Sequence, residues 1–309
     1  MALFPWLAAL AALGLANAAG DPQEPIAQTI YGPDDRIDLY ETDDARLLAL
    51  ADSTVALFRT SEIQLDGHGA ARLSVGRFGD ALQLCPGERF RDQPIGAFCS
   101  GFLVGPDLIA TAGHCVSDDS CESTRFVFGY SLRRKESDPS TVPASEVYRC
   151  RRVLGREYDE AGADWALLRI DRAAAGHAPL AMRTSGAINK GEPVLAIGHP
   201  SGLPTKIAGS ATVRDASKDA FFTANLDTFG GNSGSAVFNA RTGLVEGVLA
   251  RGEEDFVWND QAGCRVSRLC RDDGCKGEDV SRITLVKPSP LAAKKPGAAF
   301  TQLLGSFRN

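Results

Sequence analysis

Two polar residues each adjoin a hydrophobic segment, which would fix the position of their side chains in a fold. His114 follows the hydrophobic segment 108–112, and Asp164 precedes another, 165–170. An imidazole has a pKa near neutrality and suits proton transfer. A carboxylate beside an apolar strand is costly to bury unless a group such as an imidazole N–H pairs with it. The two residues therefore predict a histidine base that an aspartate orients.

A third residue offers a nucleophile. Ser233 lies in the run GGNSGS, residues 230–235. The glycines leave room for a carbonyl group to approach its Oγ, and the N–H groups of Gly231 and Ser233 can form an oxyanion hole. Taken singly, the three residues also have ordinary interpretations: a strand-end histidine, a strand-initiating aspartate and a glycine-rich turn. No matching motif surrounds the other histidines, His68, His177 and His199.

Together the motifs TAGHC, DWALLRI and GGNSGS resemble the trypsin-like serine peptidases. The order His–Asp–Ser along the chain is that of this family and differs from the subtilisins and the α/β-hydrolases. The resemblance covers about residues 53–250. The run GHPSG, residues 198–202, and Asn232 before the serine are similar to the bacterial glutamyl-endopeptidase-like (V8-like) branch.

This resemblance implies an all-β fold of two antiparallel six-stranded β-barrels, with the active site in the cleft between them. His114 and Asp164 would come from the first barrel and Ser233 from the second. The implied activity is that of a serine endopeptidase that works through an acyl-enzyme intermediate and needs no cofactor and no metal. A disulfide between Cys99 and Cys115 is also implied, because family members pair the cysteine after the catalytic histidine with one a hairpin earlier.

Substrate preference is expected to depend on a small group of residues near Ser233. Asp227 stands where trypsins place the acid that binds Arg or Lys, and a carboxylate there would pair with a substrate cation. Arg251 follows segment 244–250 and offers an alternative partner that would neutralise Asp227. Leu249 stands about where the glutamyl-specific branch has a histidine. The expected substrate-binding residues are Asp227, Thr228, Ala250, Arg251 and Gly252.

Activation by a newly cut amino terminus is not expected. Many animal members have an aspartate immediately before the nucleophile that pairs with such a terminus. This chain has Asn232 there, which carries no charge.

Composition and the N-terminus indicate an exported, folded protein. The 309 residues are 44% hydrophobic and carry a formal net charge of −6, which argues against a nucleic-acid partner. The first 18 residues contain an apolar run that ends in Ala16-Asn17-Ala18, as in a secretory signal peptide, although no Lys or Arg precedes the run. A membrane anchor is the alternative, but the run is shorter than the roughly 20 residues of a span. We expect a secreted monomer, extracellular or periplasmic, that acts on proteins or peptides without stable membrane insertion.

Eight cysteines behind an export signal predict disulfides. Cys264, Cys270 and Cys275 cluster, yet they form no C-x-x-C pair and have no histidine nearby, so zinc is the weaker interpretation. Proximity along the chain suggests Cys121 with Cys150. The pairing of Cys85 and of the clustered three stays open.

Short β-type segments between Gly, Pro and Asp breaks support the barrel fold. They cover residues 54–58, 98–104, 108–112, 125–130, 147–154, 165–170, 193–197, 211–214, 220–226, 235–238 and 244–250. The chain is expected to divide into a signal peptide (1–18), a propeptide or N-terminal arm (19–50), a peptidase domain (51–290, with lobes at about 51–175 and 190–290) and a tail (291–309), with a short helix over 298–307.

Two other functions use the same residues. A catalytically silent relative would be a binding module, although such relatives usually lose at least one of the three residues. A serine esterase would share the acyl-transfer chemistry and act on small esters.

Overall fold

A computed structural model describes residues 29–288. The signal peptide, the cleavage site and the C-terminal helix predicted above lie outside these residues. The first half contains the strands β1 (Ile30–Tyr31), β2 (Ile37–Asp38), β3 (Thr54–Arg59), β4 (Ile63–Leu65), β5 (Ala70–Leu73), β6 (Gly76–Arg77), β7 (Pro94–Ile95), β8 (Cys99–Gly105), β9 (Leu108–Thr111), β10 (Thr124–Phe128), β11 (Thr141–Pro143), β12 (Val147–Tyr158) and β13 (Asp164–Ile170).

The second half is also built of strands, and the described helices are short. Its strands are β14 (Pro193–Gly198), β15 (Lys206–Asp215), β16 (Phe221–Ala224), β17 (Ala236–Asn239), β18 (Val245–Arg251), β19 (Phe256–Asn259), β20 (Cys264–Ser267), β21 (Leu269–Cys270) and β22 (Glu278–Arg282). The described α-helices all lie in the first half: α1 (Ala45–Ala51), α2 (Phe78–Ala81) and α3 (Asp118–Cys121). No helix within residues 29–288 is long and apolar enough to span a membrane.

Six strands close the first barrel in the order β10-β12-β13-β9-β8-β3, and every pairing is antiparallel. Buried apolar side chains such as Val55, Phe102 and Leu168 fill its interior. The sequence favours this arrangement because β-branched and aromatic residues pack well on a pleated surface. β13 lies between β12 and β9, so the strand that begins with Asp164 is fixed along both edges.

The second barrel contains the strands β14-β17-β18-β22-β16-β15, closed by a further pairing of β15 with β14. The predicted pair of six-stranded antiparallel barrels is therefore confirmed. Each of the eleven predicted segments overlaps a barrel strand, while the twelfth strand, β22, was not predicted. Its sequence EDVSR shows no alternation of apolar and polar residues, although all five residues are buried.

Residues 29–44, here called the N-terminal arm, lie across the second barrel. β1 pairs with β21, and β2 pairs antiparallel with the edge of β15. The arm is buried at Ile30, Tyr31 and Arg36. This segment therefore contacts the second barrel at β15 and also pairs with β21.

Four disulfides join all eight cysteines. They link Cys99 with Cys115, Cys121 with Cys150, Cys85 with Cys264, and Cys270 with Cys275. The first two pairs are those expected from the family resemblance and from proximity. The Cys85–Cys264 bond spans 179 residues and ties a loop of the first half to β20.

Candidate active site

His114 and Asp164 form a closely bonded pair at the edge of the first barrel. The Nδ1 atom of His114 donates to Oδ2 of Asp164 at 2.7 Å, and the backbone N–H of His114 donates to Oδ1 at 3.0 Å. Asp164 is fully buried and the His114 side chain is only 10% exposed. Because the carboxylate accepts from Nδ1, the neutral imidazole presents an unprotonated Nε2, which is the atom that can take up a proton.

The approach of these two segments depends on a glycine. A Cβ atom at Gly113 would collide with the carbonyl oxygen of Glu157 and lie 3.0 Å from Oδ1 of Asp164. Only glycine allows the chain before His114 to pass this close to β12 and β13. This explains physically why the TAGHC motif has glycine before the histidine.

Two residues of the second barrel hold the segment that carries Asp164. Ser281 accepts the backbone N–H of Asp164 on its Oγ at 2.9 Å. The guanidinium group of Arg251 donates to the carbonyl oxygens of Asp159 and Gly162, at 3.2 and 2.5 Å. These bonds join β22 to Asp164 and β18 to the turn before Asp164. They therefore connect the two barrels next to the His–Asp pair.

Ser233 lies near this pair, in the loop between β16 and β17 of the second barrel. It is 2% exposed, and its Oγ donates weakly, at 3.4 Å, to the carbonyl oxygen of Ala250. The disulfide sulfur of Cys115 lies 3.6 Å from Nε2 of His114 and 3.6 Å from the carbonyl oxygen of Ser233. The imidazole and the serine backbone therefore contact the same sulfur atom across the cleft.

Backbone N–H groups beside Ser233 are available to a ligand. Within residues 29–288, the N–H groups of Gly231 and Ser233 donate to no protein acceptor. Gly231 has a φ of +91°, a conformation that L side chains rarely adopt, and a Cβ there would lie 2.8 Å from the carbonyl oxygen of His199. The loop therefore needs glycine at this position.

Asp227 occupies a different environment from the one expected. Its Oδ1 accepts the N–H of Tyr31 at 2.7 Å, and its Oδ2 accepts the N–H of Asp35 at 3.1 Å. Both oxygens are thus bound by the N-terminal arm. Burial raises the pKa of Asp227 to about 7, and the carboxylates of Asp35 and Asp34 add to this rise although the two N–H bonds oppose it.

Arg251 also departs from expectation, because it does not bind Asp227. Its Nε donates to Oδ2 of Asp279 at 3.3 Å, and its other nitrogens bind the carbonyls before β13. The alternative in which Arg251 neutralises Asp227 is therefore wrong. A buried guanidinium in β18 takes the nearest buried carboxylate, which belongs to the unpredicted neighbouring strand β22.

Two of the other predicted substrate-binding residues, Thr228 and Gly252, adjoin Glu278. Thr228 donates from Oγ1 to Oε2 of Glu278 at 3.1 Å, and a Cβ at Gly252 would collide with the same carboxylate. Burial, reinforced by Asp255, holds the pKa of Glu278 well above its ordinary value. Leu249 is buried in the core of the second barrel.

The remaining histidines have structural surroundings. His199 is fully buried, stacks on Tyr130 and has an Nδ1···O distance of 3.0 Å to the carbonyl of Leu203. Burial lowers its pKa to about 3, so it is neutral at physiological pH. His177 is bonded to Asp52 and Glu146, and His68 is exposed.

Cys99, His114 and Cys115 are close enough to surround an ion, but the two sulfurs are joined in a disulfide. Metals bind the thiolate form of cysteine, so this group does not offer a normal ligand set.

Comparison with known proteins identifies the family. Residues 99–248, which include His114, Asp164 and Ser233, match the family described as a trypsin-like peptidase domain. Residues 99–248 therefore form a trypsin-like peptidase domain. It is 36% identical over 78 residues to chymotrypsin-like elastase family member 3A of Homo sapiens, an alignment that covers 25% of this chain and 28% of that protein.

Solved structures resemble this trypsin-like peptidase over most of its length at low identity. A Glu endopeptidase in complex with MPD is 16% identical, with a TM-score of 0.46, and the alignment covers 83% of this chain and 94% of the other. The human heparin binding protein is 15% identical, with a TM-score of 0.49 and coverage of 82% and 92%.

Several residues of the site had no recognisable signal in the sequence. Ser281 and Glu278 belong to β22, which lacks a strand pattern, and Arg36 lies in an acidic segment interpreted only as propeptide or arm. Their positions depend on pairings between residues far apart in the chain, which no local periodicity reveals.

Proposed function

We propose that this trypsin-like peptidase is a secreted serine endopeptidase with Ser233 as nucleophile, His114 as general base and Asp164 as the orienting acid. The observation that carries the proposal is the 2.7 Å bond from Nδ1 of His114 to the buried carboxylate of Asp164, opposite Ser233. A disulfide-rich chain supports export to an oxidising compartment.

In the proposed reaction, Nε2 of His114 removes the proton of Ser233 as Oγ attacks the scissile carbonyl carbon. Asp164 keeps the proton on Nδ1 and stabilises the imidazolium. The proton then passes to the leaving amine, the C–N bond breaks, and an acyl group remains on Oγ. Water, deprotonated by the same imidazole, releases the acid and regenerates Ser233.

Without substrate, Oγ of Ser233 donates to the carbonyl of Ala250 and not to the imidazole of His114. A bound substrate would extend beside Ala250 and Gly252 and displace that weak bond, which allows Oγ to turn to the imidazole. Catalytic hydrogen bonds are often long in ligand-free enzymes and tighten with substrate. The N–H groups of Gly231 and Ser233 would stabilise the oxyanion, a contribution of about 3–4 kcal/mol for one donor.

The substrate-binding surface in this proposal consists of Thr228, Ala250 and Gly252, of which Ala250 contacts Oγ of Ser233 through its carbonyl. Asp227 and Arg251 have structural partners and are left out of it. The proposed substrates are proteins or peptides, and the proposed working form is a monomer without a cofactor.

The decisive experiment combines labelling with two substrates. Wild-type protein should react with a fluorophosphonate probe at Ser233 and digest denatured casein as well as a simple ester. Ser233→Ala should lose the label and about 10⁶ in turnover. An unlabelled wild type would support a silent relative, and hydrolysis of the ester alone would support an esterase. A pure Ser233→Ala preparation that digests casein at more than a tenth of the wild-type rate would exclude Ser233 as nucleophile.

A further inference from the structure

Arg36 is a fully buried cation that the N-terminal arm places beneath the loop of Ser233. Its side chain is 1% exposed, and it pairs with Asp34 of the same arm through bonds of 2.9 and 2.7 Å. A charged residue of the arm would cost less free energy if it stayed in water. The burial of Arg36 indicates that its contacts in the interior stabilise the structure around it.

The guanidinium group lies over the ring of Phe229, the residue that precedes the two glycines. Its Cζ is 3.9 Å from the ring centre of Phe229, with Phe90 at 5.5 Å. Phe229 is itself 1% exposed and packs on Phe256 at 4.6 Å between ring centres. Arginine stacks on aromatic faces through its planar group, and such a contact is stronger where water is excluded.

A second connection passes through a buried carboxylate. Oδ2 of Asp255 accepts the N–H of Gly230 at 2.9 Å. Burial raises the pKa of Asp255, and the positive charge of Arg36 opposes that rise. The charge of Arg36 therefore favours the ionised form of Asp255, which is the stronger acceptor for the Gly230 N–H.

These contacts fix the peptide groups around Gly231. The carbonyl of Gly230 accepts the N–H of Ser201 at 2.5 Å, and the carbonyl of Gly231 accepts Oγ of Ser100 at 2.8 Å. With the Gly230 N–H on Asp255, three of the four polar groups of the two glycines are bound. Because a trans peptide directs its N–H opposite to its C=O, the remaining N–H of Gly231 must point away from Ser201.

We infer that Arg36 is a positioning residue for the oxyanion hole, which it orders from below through Phe229 and through Asp255. The inference rests on the proposed function, since it assigns a role in that same active site. In animal relatives a newly cut amino terminus orders this loop by pairing with an aspartate before the nucleophile. Asn232 has no charge for such a pair, and the arm orders the loop instead. The support is present in the chain as it folds and needs no inserted terminus.

The test compares Arg36→Met with Arg36→Lys and with a matched control, Arg89→Met. Arg89 binds the carbonyl oxygens of Asp34 and Arg36 and the carboxylate of Asp34, and within residues 29–288 it has no bond to the glycine loop. Kinetics on a peptide ester separate kcat from KM, and a peptide aldehyde, which forms an oxyanion on binding, reports the hole directly. All variants are assayed at a temperature at which urea denaturation shows them folded.

We expect Arg36→Met to lower kcat by about 10²–10³, the loss seen when an oxyanion donor is removed, with KM changed less than about threefold. Aldehyde affinity should fall by a similar factor, while a non-covalent product peptide binds as before. Arg36→Lys keeps the charge without the planar stack and should fall between. Arg89→Met should stay within about threefold of wild type.

Three results would overturn the inference: unchanged kcat in Arg36→Met, an equal loss in Arg89→Met, or a loss confined to KM. If Arg36→Met fails to fold, Phe229→Leu removes the same stack from the other side and must lower kcat at constant KM. A wild-type protein with neither turnover nor fluorophosphonate labelling would instead refute the proposed function, so the two failures are distinguishable.

Discussion

Asp227 makes the stability of this peptidase depend on pH in a calculable way. Its carboxyl has an ordinary pKa of 3.8 and, in the folded protein, a pKa of about 7. Between these values the folded state holds a proton that the unfolded state has lost, so stability falls as pH rises through this range. At about 1.4 kcal/mol per pH unit, the total effect is about 4 kcal/mol between pH 4 and pH 7.

The Asp227→Asn variant removes the titrating proton but keeps one oxygen to accept an N–H from Tyr31 or Asp35. Urea denaturation of both proteins from pH 4 to pH 8 should show the wild type losing about 4 kcal/mol relative to the variant as pH rises. Asp66→Asn is the control. Hydrogen bonds from the backbone of Ala70 and His68 lower the pKa of that exposed carboxyl, so its titration lies at the acid end of this range or below it.

Parallel stability curves for wild type and Asp227→Asn would refute the assigned environment of Asp227. The same variant tests the substrate preference first expected from the sequence. Because both carboxylate oxygens face the N-terminal arm, a peptide library should give the same profile at the cleaved residue with and without the charge. Loss of Arg or Lys cleavage in Asp227→Asn would mean that the carboxylate faces the substrate after all.

The remaining predictions concern the framework of the site. Asp164→Asn should lower kcat by about 10⁴ in steady-state kinetics, because the imidazole then takes the wrong tautomer. Ser281→Ala leaves the buried N–H of Asp164 unpaired and should cost about 1–3 kcal/mol of stability in urea denaturation. Arg251→Met removes two hydrogen bonds to the turn before β13 and one partner of the buried Asp279, and should reduce stability by about 2–4 kcal/mol together with kcat, but should not change the cleavage profile of a peptide library. Replacing Cys121 and Cys150 with alanine opens a loop of 29 residues and should cost about 3–4 kcal/mol in urea denaturation, and a loss below 1 kcal/mol would contradict the bond.

Local patterns in the sequence account for most of the barrels and for the residues proposed as catalytic. His114 and Asp164 could be found because each adjoins an apolar strand whose burial their position implies. Ser233 could be found because glycines surround it. In all three cases the informative residues are neighbours in the chain, so a motif a few residues long carries the signal.

Such local patterns could not predict the partners of buried charged residues. Arg251 was placed near Asp227, but β22 brings Asp279 closer, and that strand has a sequence that looks solvent-exposed. Asp227 was assigned to the substrate because the arm that binds it could not be placed. In both cases the physical cause is the same: a charge takes its partner from whichever segment the fold brings near, and that segment is distant in sequence.

The pairing of β2 with β15 has a consequence for biosynthesis. Asp38 and its buried partner Lys206 are separated by 168 residues. At about 5–20 residues per second, a ribosome needs on the order of ten to thirty seconds to make the chain between them. The whole first barrel is synthesised in this interval, so it can fold while the arm waits for its sheet. The first barrel thus lies in the chain between the arm and the sheet with which the arm pairs, and a fragment that starts at β14 would contain the second barrel without the arm.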